Sequence, residues 1–64
     1  PRAVLVLVEA ARVPDSSVRL SAARSFGRLG GPRSIAALKK LREDPHPGVR
    51  GAAFASLADL GELD

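Results

Sequence analysis

A chain that repeats itself every 31 residues is built from one small unit used twice, and that constrains its fold more than any other feature. Laid over itself at this offset, the 64-residue chain gives ten identities in the 33 aligned pairs, where composition alone gives about two to three. Val18-Arg19 returns as Val49-Arg50, Leu29-Gly30 as Leu60-Gly61, and Pro1-Arg2 as Pro32-Arg33. Leu7, Pro14, Ala22 and Ser25 return as Leu38, Pro45, Ala53 and Ser56. A period of 20–50 residues is the mark of stacked repeats, in which each unit covers a face of its neighbour.

Within each period the spacing is helical. Four segments carry it, over 2–12, 16–29, 32–43 and 47–60. The second aligns Val18, Ala22, Phe26 and Leu29 on one stripe, at the i, i+4, i+8 and i+11 intervals of a core-facing helix. The fourth repeats that stripe as Val49, Ala53, Leu57 and Leu60, and the third turns Ile35, Leu38 and Leu41 inward. Gly30 and Gly61 follow the last apolar residue of their helices, where a left-handed residue ends a helix. Pro32 and Pro47 suit first-turn positions, which have no backbone N–H bond to lose. Asp15 or Ser16 can cap the second helix. His46, at the matching place, is a poorer cap, and Pro45 and Pro47 stiffen that turn instead. The rival reading is a β-strand over Ala3–Val8, whose Val-Leu-Val-Leu-Val has strand propensity, but its repeat mate Ile35-Ala36-Ala37-Leu38 is helix-like and no second strand is available to pair with it.

The expectation is therefore an all-α chain of four helices, one segment over 1–64 made of two antiparallel helix pairs, 1–31 and 32–64. With no Cys, no Trp and no Tyr, neither a disulfide nor a thiolate metal site can staple it, and its core must be Ala, Val, Leu and Ile with two Phe. Two units are fewer than the three or so that a stacked array needs for stability, and the chain opens on Pro1, so it is expected to be a fragment of a longer array. The first helix is apolar on two sides. One would meet the second helix and the other a preceding repeat, so self-association through the first helix is expected of the isolated segment. The apolar run is too short to span a membrane. The lack of Cys and of a membrane segment suits a cytoplasmic protein, and the wealth of Ala and Arg suits a bacterial one.

Asp15-x-x-Val18-Arg19-(x)2-Ala22-Ala23-(x)2-Phe26-(x)2-Leu29-Gly30 resembles the HEAT repeat, and is similar above all to the short HEAT-like type of the phycobilin lyases. The resemblance runs through both units and implies an α-solenoid of antiparallel helix pairs. In this family the Arg after Val commonly pairs with a turn Asp, forming a ladder between adjacent repeats. That implies structural roles for Arg19 and Arg50, with Asp15 and Asp44 as the available acids. The units depart from the pattern in opposite ways: Val13 stands where Asp44 stands, and His46 where Asp15 stands.

The residues that remain speak to binding rather than catalysis. Arg24 and Arg28 sit four apart, off the apolar stripe, and share a helix face. Their mates in the second unit are Ala55 and Asp59. The resemblance implies that second helices line the concave, partner-binding surface, so Arg24, Arg28 and Asp59 are the candidate contact residues, suited to an acidic protein. Lys39, Lys40 and Arg42 form a short basic run ordinary for a helix end, without the aromatic residues that stack on bases. His46, the sole histidine, lies between prolines and lacks the carboxylate partners of a metal site or a nucleophile–base pair. No catalytic, metal or cofactor site is expected, and no cofactor. The functional expectation is a protein-interaction scaffold or adaptor segment, not an enzyme. The alternatives are DNA binding through a basic concave face, as in HEAT-like DNA glycosylases, and a subunit of a chromophore lyase, an alternative that rests on the repeat subtype alone. The net charge of +3 permits nucleic acid without demanding it.

Overall fold

The computed structural model describes residues 2–63; Pro1 and Asp64, the outermost residues of the expected segment, lie outside it. The order is α1 (Arg2–Ala10), α2 (Ser16–Leu29), α3 (Gly31–Leu41) and α4 (Pro47–Asp59). Among the described residues there is no strand. α1 pairs with α2 and α3 with α4. The second pair lies against the first mainly through α2 and α4.

The second helix has the expected bounds, while α1 and α3 stop two residues early and α4 one residue early. The cause is the same at α1 and α3. Arg12 and Val13 donate to the carbonyls of Glu9 and Ala10, and Glu43 and Asp44 to those of Lys40 and Leu41. These i→i−3 bonds tighten the chain into a last turn before Pro14 and Pro45, whose rings disfavour helix in the preceding residue. The glycine stops behave as the sequence suggests: Gly30 and Gly61 have φ of +66° and +72°. At the second, Gly61 donates to Ala58 and Glu62 to Leu57, the paired bonds of a Schellman ending.

The core is Val4, Ala22, Ala23, Phe26, Leu38, Leu41, Val49, Ala53 and Leu57. The fourth-helix stripe lies inside it except for half-buried Leu60, and Ile35 on α3 is half-buried too. The second-helix stripe does not hold along its whole length: Val18 is 39% exposed and Leu29 50%, whereas Val49, the mate of Val18, is fully buried. The physical reason is position in the stack. Among the described residues a helix pair precedes that of Val49 and none precedes that of Val18. Ala23, absent from the expected stripe, is fully buried because α4 crosses over it.

α2 and α4 approach closely at one point. Ser56 Oγ donates to the Ala23 carbonyl at 3.0 Å, and a β-carbon on Gly27 would stand 2.5 Å from that oxygen and 2.7 Å from Ser56 Cβ. Gly27 is thus the hole into which Ser56 fits. Ser34 is also fully buried, and its Oγ has no hydrogen-bond partner among the described residues.

Candidate functional site

The two inter-helix turns are where the sequence places its ladder, and they are joined by one side chain. Arg19, in the first turn of α2, donates from Nε to Asp44 Oδ1 at 2.8 Å and from Nη2 to Oδ2 at 3.1 Å. This two-point fork ties a planar guanidinium to a planar carboxylate. The same guanidinium holds its own turn, donating from Nη1 to the carbonyls of Val13 at 2.9 Å and Pro14 at 2.6 Å. The side chains are 13% and 7% exposed, so the fork is largely shielded from water. The Arg19 hydrogen bonds hold the Asp44 carboxyl below the usual carboxylate range, with the His46 N–H adding to them and burial opposing. They likewise hold Arg19 above its ordinary value.

The other two ladder residues behave differently. Arg50 repeats half of the arrangement, donating from Nη1 to the carbonyls of Asp44 at 2.8 Å and Pro45 at 3.1 Å, but it pairs with no carboxylate among the described residues. Asp15 does not serve the ladder. It caps α2, accepting from the Ser17 N–H at 2.9 Å and the Ser17 hydroxyl at 2.7 Å, and these bonds lower its pKa. One acid, Asp44, therefore serves one arginine. By the same geometry the acid for Arg50 would come from a turn 25 residues further on, outside the described residues.

His46 corrects the expectation of a poor cap. Its Nδ1 accepts from the Gly48 N–H at 3.0 Å and its backbone takes the extended conformation of an N-cap residue, the role that Asp15 plays in the first unit. Its own N–H donates to Asp44 Oδ2 at 2.9 Å. The signal was present in the sequence: Asp15 and His46 are repeat mates, and an imidazole nitrogen accepts as a carboxylate oxygen does.

The candidate contact residues come together. Arg24, Arg28 and Asp59 all line one groove of about 400 Å³ between α2 and α4. Gly27, Gly48, Gly51, Ala52 and Ala55 also line it, so its floor is mostly backbone and small side chains. Arg24, Arg28 and Asp59 are all exposed, and no ion pair joins them. A second groove, about 390 Å³ between α1 and α3, is more apolar, with Leu5, Val8 and Leu41 below Arg12, Arg33 and Lys40.

Among the described residues no group of three or more His, Cys, Asp or Glu side chains comes together that could hold a metal ion, and no helix is long and apolar enough to cross a membrane. No characterised protein and no solved structure gives a significant match to the chain. A family model described as HEAT repeats matches residues 1–62. That match is to the repeat family at large and does not distinguish the phycobilin-lyase type. With two quasi-equivalent helix pairs, a shared turn fork and that match over nearly its whole length, the chain belongs to the HEAT-repeat family.

Proposed function

We propose that the chain is a protein-interaction segment of a HEAT-repeat scaffold, and that it grips its partner in the groove between α2 and α4. HEAT repeats generally hold protein partners together, and second helices form the surface that the family turns toward them. The observation that carries the assignment to this groove is the meeting of Arg24, Arg28 and Asp59 on its walls with no ion pair among them. Two guanidinium groups one helical turn apart, without an ion pair among the described residues, suit a pair of carboxylates on a partner, and Asp59 suits a base beside them. The small-residue floor lets a partner backbone come close, so that these charges are reached across a short, partly dried gap where they count for more than on an open surface. Asp59 also disfavours the rival ligand, because a carboxylate in the groove repels nucleic-acid phosphates.

Charge reversal tests this. Arg24→Glu with Arg28→Glu should leave the helical circular dichroism unchanged and weaken capture of acidic partners by the full-length protein. Asp59→Lys should strengthen it. If the double variant captures the same partners as the natural protein, the groove is not the contact surface. If the natural protein instead binds duplex DNA with an affinity that falls steeply with salt, and the double variant loses about one unit of log–log slope per phosphate contact, the surface serves nucleic acid.

A further inference from the structure

The four helices lie in two layers, α1 beside α3 and α2 beside α4, and α1 and α4 do not meet. The layers close unequally. α2 and α4 pack tightly, with Ser56 seated over Gly27, whereas α1 and α3 touch far less. The gap this leaves is the groove of about 390 Å³ between α1 and α3. It shares no lining residue with the groove between α2 and α4. It opens on the opposite side of a body whose thinnest dimension is 14 Å.

Its walls carry a pattern. On α3, Arg33, Ala36, Ala37 and Lys40 all line it, at the i, i+3, i+4 and i+7 positions that share one helix face. The two cations therefore stand two turns apart, about 10.5 Å along the axis, with two small residues between them. The α1 wall facing them offers Leu5, 55% exposed, and half-buried Val8. Arg12 ends that wall. The charged residues lining the groove are thus three cations and no acid. All three cations are exposed, and none joins an ion pair among the described residues.

We propose that this groove is a second docking site, and that it takes an amphipathic helix of a partner protein. That helix carries acidic residues seven apart and two apolar residues between them, at the third and fourth places after the first acid. The acids meet Arg33 and Lys40, while the apolar pair drops between Leu5 and the two alanines, the mode in which an apolar helix stripe fills a groove. Ala36 and Ala37 are small enough to let the helix sit close. Charge complementarity selects the occupant: an apolar floor with a cation at each end suits an apolar stripe with an acid at each end. The chain itself does not meet these terms. A second copy brings a net charge of +3. No helix of it carries more than one acid: α1 has Glu9, α4 has Asp59, and α2 and α3 have none. Nucleic acid is disfavoured too, because the surface between the cations is apolar and has no ring to stack on a base. The site does not depend on Arg24 and Arg28. It takes a different segment on the opposite face, so that one chain can join two partners.

A synthetic peptide tests this. The probe is an Ala-rich helix of about 16 residues, long enough to be helical in water, with Glu, Leu, Leu and Glu at i, i+3, i+4 and i+7. Fluorescence anisotropy of the labelled probe, titrated with the full-length protein, should show binding that weakens with salt. Arg33→Glu with Lys40→Glu should weaken it by about tenfold or more, and Ala36→Leu should weaken it by filling the floor. Arg24→Glu with Arg28→Glu should leave it unchanged. A probe with Lys in place of both Glu should not bind the natural protein. It should bind the Arg33→Glu, Lys40→Glu variant, a rescue that a misfolded variant cannot give. Moving the two Glu residues from seven apart to four apart should weaken binding several-fold. The proposal is overturned if the probe does not bind, if the Lys probe binds the natural protein as well, or if the spacing of the acids has no effect. It is equally overturned if binding follows Arg24 and Arg28 instead, or if anionic phospholipid vesicles bind through Arg33 and Lys40 while the probe does not.

Discussion

Glycine to alanine should have opposite effects at two positions that look alike in sequence. Gly27 lies in α2 and Gly51 in α4, both inside helices and neither with positive φ. On helix propensity alone each substitution should stabilise by about 0.8–1 kcal/mol. At Gly51 a β-carbon meets nothing within 4 Å, so Gly51→Ala should realise most of that gain, about 0.5–1 kcal/mol. At Gly27 the same β-carbon falls 2.5 Å from Ser56 Oγ, 2.7 Å from its Cβ and 3.3 Å from its Cα. The hydroxyl can rotate away, at the loss of its bond to the Ala23 carbonyl, about 1 kcal/mol. The Cβ and Cα cannot, and forcing the helices apart adds about 1–3 kcal/mol of overpacking. The net for Gly27→Ala is a destabilisation of about 1–3 kcal/mol. Urea unfolding followed at 222 nm reads both, and Ser56→Gly combined with Gly27→Ala should recover part of the loss. If Gly27→Ala unfolds at or above the natural midpoint, α2 and α4 are not in the contact described.

Three further outcomes follow from burial and charge. Val49→Ala should cost roughly 1.5–3 kcal/mol, two buried carbons at about 0.8 kcal/mol each plus the cavity left behind, while its half-exposed mate Val18→Ala should stay within about 0.5 kcal/mol; equal costs in urea would mean that the two positions are equally covered. Ser34→Ala should stabilise by about 1 kcal/mol, since it removes a buried hydroxyl with no partner among the described residues, and a drop in thermal midpoint would reveal a bond to that oxygen. Asp44→Asn should lower the urea midpoint near neutral pH. The folded Asp44 carboxyl is held below its ordinary value, so its contribution is full above the unfolded pKa of about 3.9 and fades as pH falls through the lower folded value. The gap between variant and natural protein should therefore close on acidification, and a gap that widened would show that the fork with Arg19 does not hold the charge.

Much of this architecture was legible from the 31-residue period and the spacing of apolar residues, because both record which side of a helix meets its neighbour. The bounds of α2, the glycine stops and the burial of Ala22, Val49, Ala53 and Leu57 all come from such local patterns. What escaped depended on neighbours that a period cannot reveal. Val18 and Val49 are the same residue at the same helical position, yet one is covered and the other is not, and only the order of units decides between them. Asp15 and Asp44 were equal candidates for the arginines, but the stack brings Asp44 to Arg19 and leaves Asp15 to cap its own helix. The cap made by His46 was hidden by a chemical prejudice: ranked as a weak cap by type, it offers an acceptor nitrogen where its mate offers oxygen. Of the site, the i, i+4 spacing placed Arg24 and Arg28 on one face, but nothing local placed Asp59 across the groove from them.

If partners are held between α2 and α4, site-specific photocrosslinking will find them there. A photoreactive residue in place of exposed Ala55, on the floor of that groove, should crosslink the full-length protein to an acidic partner, and Arg24→Glu with Arg28→Glu should abolish the adduct. The same residue in place of exposed Ala36, in the groove between α1 and α3, should give no such adduct. Crosslinks from position 36 and none from position 55 would put the partner in the groove between α1 and α3 instead.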